Sequence, residues 1–133
     1  TCELAAAALG VEVGQIAKTL VFKGKTGYVL VVAAGDVRID QKKIRQVIGS
    51  KVRMANPDEV LQVTGYPIGG VCPFDLKTPV RILLDDSLAQ YSVVYAAAGT
   101  ANSALPITLE QLREITGGEV VSLADQTIDQ AVS

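Results

Sequence analysis

Two adjacent β-rich runs, residues 18–23 and 28–34, limit the folds open to this sequence. Lys25-Thr26-Gly27 between them is a turn signal, so the two runs predict an antiparallel β-hairpin. Residues 28–34 form the longest apolar run, which is far shorter than the roughly 20 residues that a membrane-spanning helix needs. We therefore expect a buried hairpin and no membrane partner.

Helix start and stop signals lie on both sides of this hairpin. Each predicted helix follows a capping residue and ends at a glycine: Thr1 and Gly10 for 2–9, Asp40 and Gly49 for 41–48, Asn56 and Gly65 for 57–64, and Thr108 and Gly117 for the last helix. A short helical stretch is predicted at 13–17, and further strands at 51–55, 80–84, 92–98 and 119–123. Because helices and strands alternate without regular βαβ spacing, we predict a single α+β domain over 1–133. It is built on a mixed, partly closed β-sheet or barrel surrounded by helices.

The composition excludes several classes of function. Hydrophobic residues make up 49% of the 133 residues and charged residues 20%, as in a folded globular domain. The sequence has no histidine, which excludes Ser-His-Asp and Cys-His catalysis and histidine-zinc sites. A net charge of −2 argues against broad, non-specific binding to DNA or RNA, so any RNA contact must be local.

Location and cofactors are inferred from simple sequence signals. The amino end shows no basic and apolar leader, so we expect a cytoplasmic protein, and the missing initiator Met leads us to expect further upstream residues. Cys2 and Cys72 have no partner at metal-ligand spacing, and Asp36, Arg38 and Asp40 are a weak metal signal. We therefore expect reduced thiols, no metal and no cofactor, and leave the oligomeric state open.

The segment 64–74 has the unusual sequence Thr-Gly-Tyr-Pro-Ile-Gly-Gly-Val-Cys-Pro-Phe. Its prolines fix their backbone angles, whereas its glycines permit conformations closed to other residues, so we predict a stiff and sharply bent segment. Its apolar side chains could form one wall of a pocket while its backbone N–H groups face a ligand. The alternative is a buried structural turn between a helix and a strand.

Lys18 is the second candidate for a functional residue. Strand alternation places it on the same face as Leu20 and Phe22, where its ammonium must reach water or an anion. The alternative is a strand-end lysine that extends to solvent. A third candidate is the loop 97–103, whose small and hydroxyl-bearing residues would let a ligand approach the backbone; an ordinary polar loop is equally compatible.

Two further groups are weaker candidates. Cys72 has no histidine to activate it, so we expect a packed thiol rather than a nucleophile. The densest basic group could contact a few phosphates, or it could be a solvated helix face. This group comprises Lys42, Lys43, Arg45, Lys51 and Arg53.

Several short motifs, in their order and spacing, resemble the YbaK family. That family includes free-standing aminoacyl-tRNA editing proteins and the editing domain inserted in bacterial prolyl-tRNA synthetase. The resemblance spans nearly the whole chain. The motifs are Ala-Leu-Gly-Val at 8–11, Lys-Thr-Leu-Val-Phe at 18–22, Gly-Asp at 35–36, the segment 64–74, Asp-Ser-Leu at 86–88 and Ala-Gly at 98–99.

The resemblance implies hydrolysis of the ester that joins a wrong amino acid to tRNA, typically the tRNA for proline, in a small pocket of a barrel-like α+β fold. Lys18 matches the family's functional lysine at the tRNA 3′ end, and residues 69–73 match its Gly-x-x-x-Pro loop beside the aminoacyl group. The implied partners are mischarged tRNA and prolyl-tRNA synthetase. The implied catalytic residues are Lys18, Gly69 and Gly70, and the implied substrate-binding residues are Thr19, Tyr66, Pro67, Ile68, Val71, Pro73, Phe74, Gly99, Thr100, Asn102 and Ser103.

The chain departs from the family's pattern at two points. Some cysteine-specific members carry a serine and an acid around the Gly99 loop, where this chain has Ala97 and Ala104, and alanine-specific members use a histidine that this chain lacks. The amino acid removed and the identity of the tRNA are therefore left open. Two alternatives to an enzyme are a non-catalytic module that binds a nucleotide, an amino acid or a synthetase in the same pocket, and a structural domain without a ligand.

Overall fold

The computed structural model describes residues 1–98 and 103–125 as four helices and seven strands with two 3-10 turns. The helices are α1 (Cys2–Leu9), α2 (Gln41–Ile48), α3 (Pro57–Thr64) and α4 (Leu109–Thr116). The strands are β1 (Ile16–Lys23), β2 (Tyr28–Ala34), β3 (Arg53–Met54), β4 (Arg81–Asp85), β5 (Val94–Ala97), β6 (Ala104–Ile107) and β7 (Glu119–Val121). The 3-10 turns span Val13–Gln15 and Asp86–Gln90.

The strands form one mixed sheet in the order β6-β5-β1-β2-β4-β7, with β3 paired to β1 as well. The predicted hairpin of β1 and β2 is antiparallel, and β1 also pairs in parallel with β5. The edge strands β6 and β7 do not pair with each other in the described part of the chain, so the sheet stays open there. The predicted α+β fold with a mixed sheet and surrounding helices is confirmed.

The helix ends follow the predicted capping pattern. Each N-cap side chain accepts a hydrogen bond from a backbone N–H in the first turn, and each helix ends at a glycine with positive φ. These caps are Thr1, Asp40, Asn56 and Thr108, and the glycines are Gly10, Gly49, Gly65 and Gly117. Local sequence therefore determines where the four described helices begin and end.

The predicted strands at 51–55, 92–98 and 119–123 are shorter than expected, at Arg53–Met54, Val94–Ala97 and Glu119–Val121. Two further details differ from the sequence-based expectations. Strand β6 is not anticipated by the sequence pattern, because it has only four residues and includes Pro106, which an edge strand tolerates since one side needs no N–H donor. The predicted helical stretch at 13–17 is too long. Ile16 and Ala17 instead begin β1, where pairing with β5 supplies the backbone hydrogen bonds that a short helix would lack.

Side chains of the central strands alternate between two packed faces. On one face, called here the α3/α4 face, Val21 of β1 belongs to a core that includes residues of α3 and α4. On the other, called the α2 face, Phe22 packs with Ile44 of α2. Because side chains alternate along a strand, Lys18 lies on the α2 face and Thr19 on the α3/α4 face.

Glu59 joins the start of α3 to β3 and to the hairpin. Its carboxylate accepts hydrogen bonds from both terminal nitrogens of Arg53 at 2.9 and 3.0 Å, from the Tyr28 hydroxyl at 2.9 Å and from the Asn56 N–H at 3.0 Å. These donors, with Arg53 as the largest cause, hold the pKa of the Glu59 carboxyl well below its usual range.

We expect Glu59→Gln to destabilise the fold most at neutral pH. In the unfolded chain the carboxyl protonates near its ordinary pKa of 4.5, whereas in the folded chain it stays ionised to lower pH. Between these values the unfolded state binds more protons, so acid removes the stabilisation that the ionised group provides. Urea unfolding at about pH 7 and about pH 3 should show that the difference in free energy of unfolding between wild type and variant is smaller in acid. Asp58→Asn, which removes the adjacent exposed carboxylate, is the control. If Glu59→Gln lowered the free energy of unfolding by the same amount at both pH values, the prediction would be contradicted.

Candidate active site

Lys18 lines a cavity of about 920 Å³ on the α2 face. Leu20 and Phe22 line the same cavity, as the predicted strand alternation requires. The Lys18 ammonium donates a hydrogen bond to the Val37 carbonyl in the loop that follows β2. Lys18 is therefore held within the cavity wall and is not a lysine that extends freely into solvent.

The charged side chains around this cavity are mostly acidic. Glu3, Asp36, Asp86 and Asp125 line it together with Lys18 and Arg38. Such a balance favours a small ligand with an ammonium group over a run of phosphates. The cavity could thus accept an amino acid moiety, with Lys18 left to contact an anionic or carbonyl oxygen.

Close packing requires the glycine of the Gly-Asp motif at 35–36. A Cβ atom on Gly35 would lie 2.7 Å from the Val13 carbonyl oxygen and 3.0 Å from the Cys2 sulfur, so no other residue fits without displacing the backbone. Gly35 thereby lets the chain leaving β2 pass close to α1 and the first 3-10 turn. The following Asp36 is placed at the cavity.

Asp85 and Ser87 join three parts of the chain next to the cavity, which Ser87 lines. Asp85 is fully buried, and its carboxylate accepts hydrogen bonds from the Ser87 N–H at 3.1 Å and the Leu123 N–H at 2.6 Å. The Ser87 hydroxyl in turn accepts the Ala34 N–H at 3.1 Å, which ties in the end of β2. Sequence reasoning assigns no role to Asp85; its position just before a turn that contains Ser87 is the only available signal, that of a capping acid.

The segment 64–78 forms a closed, braced loop. The Lys77 and Thr78 N–H groups donate to the carbonyls of Thr64 and Val63 at its base. The Tyr66 hydroxyl donates to the Phe74 carbonyl across the loop at 2.8 Å. Burial is the largest cause that raises the pKa of the Tyr66 phenol. These hydrogen bonds brace the bent segment that the prolines and glycines of the sequence predict.

The tip of this segment is a β-turn. The Gly70 N–H donates to the Pro67 carbonyl at 3.0 Å, and Gly69 has φ +86°, which favours glycine. The Gly69 N–H makes no hydrogen bond within the described part of the chain, whereas that of Gly70 is engaged. Of the two glycines, Gly69 is thus the one whose N–H is available to a ligand in this conformation.

Burial divides the segment into an exposed tip and a packed arm. Pro67, Ile68 and Gly69 are exposed. The three residues after Gly70, which are Val71, Cys72 and Pro73, are buried. Val71 belongs to the core on the α3/α4 face, and Tyr66 and Phe74 pack against that core. Cys72 is a packed thiol, as predicted.

Lys18 lies on the α2 face, whereas the segment 64–78 packs on the α3/α4 face, and the cavity that Lys18 lines includes no residue of that segment. One ligand could contact both only through a gap in the sheet, and the strand pairing leaves such a gap beside β1. There β5 pairs with β1 only at Ile16 and Ala17, and β3 only at Phe22 and Lys23. Residues 18–20, called here the β1 opening, pair with no strand on that side within 1–98 and 103–125.

Thr19 lies at the centre of the β1 opening. The Val21 carbonyl points outward, because it accepts the Ala55 N–H at 2.9 Å, and main-chain groups two residues apart in a strand point the same way. The main-chain N–H and carbonyl of Thr19 therefore also point into the opening. Its buried hydroxyl has no hydrogen-bond partner in the described part of the chain. Thr19 is thus the residue of this region with unused hydrogen-bonding capacity.

The loop after β5 begins beside the same opening, since β5 runs parallel to β1. The Ala98 N–H donates to the Ser103 carbonyl at 3.2 Å and closes the base of this loop. The predicted site residues Gly99, Thr100 and Asn102 lie outside the described residues, whereas Ser103 is exposed.

Membrane-spanning helices and clustered metal ligands are both absent from the described residues. No helix in 1–98 or 103–125 has the length and apolar character needed to cross a membrane. No group of three or more Cys, Asp or Glu side chains in those ranges has the arrangement of a metal site.

Comparison with known proteins gives concordant matches. The sequence profile described as "Aminoacyl-tRNA editing domain" matches residues 1–115. "Uncharacterized protein YwhH" of Bacillus subtilis is 47% identical over 121 residues, which cover 90% of this chain and 77% of that protein. "Putative Cys-tRNA(Pro)/Cys-tRNA(Cys) deacylase EbsC" of Enterococcus faecalis is 33% identical over 125 residues, covering 92% and 76%. The crystal structure of "a putative trans-editing enzyme for prolyl tRNA synthetase" superimposes with a TM-score of 0.90 at 41% identity, covering 94% of this chain and 80% of the other.

Proposed function

Because this chain belongs to the aminoacyl-tRNA editing domain family, we propose that it is a trans-acting aminoacyl-tRNA deacylase. The substrate is tRNA for proline that carries cysteine, alanine or another small amino acid, and prolyl-tRNA synthetase is a candidate partner. The names of the relative in Enterococcus faecalis and of the superimposed crystal structure support this substrate class. The single observation on this chain that carries the proposal is the β1 opening, with Lys18 on one side and Thr19 and the braced segment on the other.

The proposed reaction needs positioning more than a strong protein base. An aminoacyl ester is already reactive, so a water held against its carbonyl carbon can attack once the developing oxyanion is stabilised. We assign the oxyanion contact to the free N–H of Gly69 and the contact with the terminal nucleotide to the Lys18 ammonium. The water oxygen bonds to the carbonyl carbon and the bond to the ribose oxygen breaks. Of the two protons of the water, one goes to the ribose oxygen and the other to solvent, so the amino acid leaves as its carboxylate.

Selection by size would follow from the buried arm of the segment. Tyr66, Val71 and Phe74 pack in the core, so the segment that carries Gly69 is firmly held, and a firm wall beside the bound ester would exclude larger side chains. A pocket that selects small apolar side chains by fit alone discriminates about 10- to 200-fold. The acidic cavity on the α2 face supplies a separate attraction for the α-ammonium of the substrate.

Deacylation assays on four differently charged samples of tRNA for proline test the proposed function. Samples of tRNA for proline charged with cysteine, alanine, serine or proline are incubated with the protein, and the charge that remains is measured against time. We expect at least one small amino acid to be released faster than without protein, and proline to be retained. Tight binding of tRNA without release of any of the four would instead favour the non-catalytic module.

Thr19→Val tests the role of the unpartnered hydroxyl. Removing a buried hydroxyl that has no partner should raise the free energy of unfolding by about 1 kcal/mol, because an unsatisfied polar group is lost. If that hydroxyl bonds the substrate, kcat/KM should fall about 3- to 10-fold. Thr26→Val at the exposed hairpin turn is the control and should change neither quantity. A Thr19→Val variant with lower stability and full activity would contradict the assignment.

A further inference from the structure

A second depression, of about 620 Å³, lies at the opposite end of β1 from Lys18. It is formed by the β1–β2 turn, the end of α2 and the chain that leads into β3. All of its charged lining residues are basic: Lys23, Lys25, Arg45, Lys51 and Arg53. We call it the basic depression.

Three of these five cations have no partner of their own within 1–98 and 103–125. Lys23 and Arg53 contact the Glu59 carboxylate at 3.6 and 2.9 Å. The charged groups of Lys25, Arg45 and Lys51 make no ion pair or hydrogen bond with the described residues, and all three side chains are exposed. The carboxyl end of α2 adds only about half a negative charge. A bound anion would relieve the repulsion that remains among these cations.

The basic depression adjoins the Lys18 cavity. Arg53 lines the depression, and the next residue, Met54, lines the cavity. Along β1, Lys18 and Lys23 are roughly 17 Å apart at about 3.3 Å per residue. A chain of nucleotides can span this distance, with its phosphates at the basic end and its terminal group at the acidic cavity.

We propose that the basic depression binds backbone phosphates of tRNA close to its 3′ end, and that this contact directs the aminoacyl ester to the β1 opening. The inference rests on the proposed function. It also revises the basic group expected from the sequence. Lys42 does not line the depression, and Lys43 donates a hydrogen bond to the Ala124 carbonyl, whereas Lys23 and Lys25 from the hairpin take their place.

The double variant Lys25→Gln with Lys51→Gln tests this surface, and Lys42→Gln with Arg113→Gln is the matched control. Both remove two exposed positive charges, and neither touches the Glu59 contacts. Binding of uncharged tRNA is measured by fluorescence anisotropy over a range of NaCl concentrations. We expect the first variant to bind on the order of tenfold more weakly, and its slope of log Kd against log salt to fall by about 1.4 to 2. The control should match wild type.

Hydrolysis separates this inference from the proposed function. An aminoacyl-adenosine lacks the tRNA backbone, so the Lys25/Lys51 variant should hydrolyse it as fast as wild type while its KM for mischarged tRNA rises. Absence of hydrolysis by wild type would contradict the proposed function. The anisotropy measurement would still show whether the basic depression binds tRNA phosphates. Equal salt slopes for the two double variants would overturn the inference, and so would a defect seen only when prolyl-tRNA synthetase is added.

Discussion

Lys18→Ala should lower kcat/KM on mischarged tRNA by about 100-fold or more. Lys18 is the one lysine that lines the cavity on the α2 face within the described residues, and it is adjacent to Thr19 at the β1 opening. Loss of a charged group that contacts the reacting end of the substrate removes electrostatic stabilisation that commonly amounts to 10²–10³ in rate. The measurement is the initial rate of deacylation at several tRNA concentrations, with the melting temperature recorded for each variant.

Lys43→Ala provides a closely matched control. Lys43 is also partly buried, and its ammonium also donates to a backbone carbonyl, that of Ala124 at 2.8 Å, but it does not line the cavity. The two variants should therefore lose similar stability, while only Lys18→Ala loses activity. If both variants kept full activity, the assignment of Lys18 to the active site would be wrong even if the protein is a deacylase.

Asp85→Ala should cause the largest loss of stability among the changes considered. The buried carboxylate accepts the N–H groups of Ser87 and Leu123, and its removal leaves two buried donors without partners. Each unsatisfied donor costs about 1–3 kcal/mol, so we expect a loss of about 2–6 kcal/mol and a melting temperature lower by roughly 10 °C or more. Denaturant unfolding measures the free energy directly.

The neighbouring Asp86 serves as the control for Asp85. Asp86 is exposed, and Asp86→Ala should change the free energy of unfolding by no more than about 0.5 kcal/mol. Asp85→Asn keeps one acceptor oxygen and should fall between wild type and Asp85→Ala. Similar stability of the two alanine variants would show that the buried hydrogen bonds of Asp85 contribute little to the fold.

The local features of this fold are predictable from sequence because each depends on residues close together in the chain. The hairpin follows from two β-rich runs around a turn, and the helix ends follow from capping side chains and glycines. Strand β6 is different, since its pairing with β5 outweighs a poor local pattern with a proline. The role of Asp85 is likewise hidden, because its partner Leu123 lies 38 residues further along the chain.

The candidate site shows the same division between local and long-range information. Strand alternation is enough to place Lys18 with Leu20 and Phe22. It does not reveal that the segment 64–78 packs on the other face, because that depends on which helices cover which face of the sheet. The β1 opening exists because β3 and β5 each pair with β1 over only two residues. The sequence of these strands does not indicate where that pairing ends.

The most direct test of the proposed activity is release of labelled cysteine or alanine from mischarged tRNA for proline, with the tRNA in large excess over the protein. We expect many turnovers per protein molecule, a rate well above spontaneous hydrolysis, and a large loss of rate in Lys18→Ala. A rate equal to that without protein, for every amino acid attached, would contradict the proposed activity.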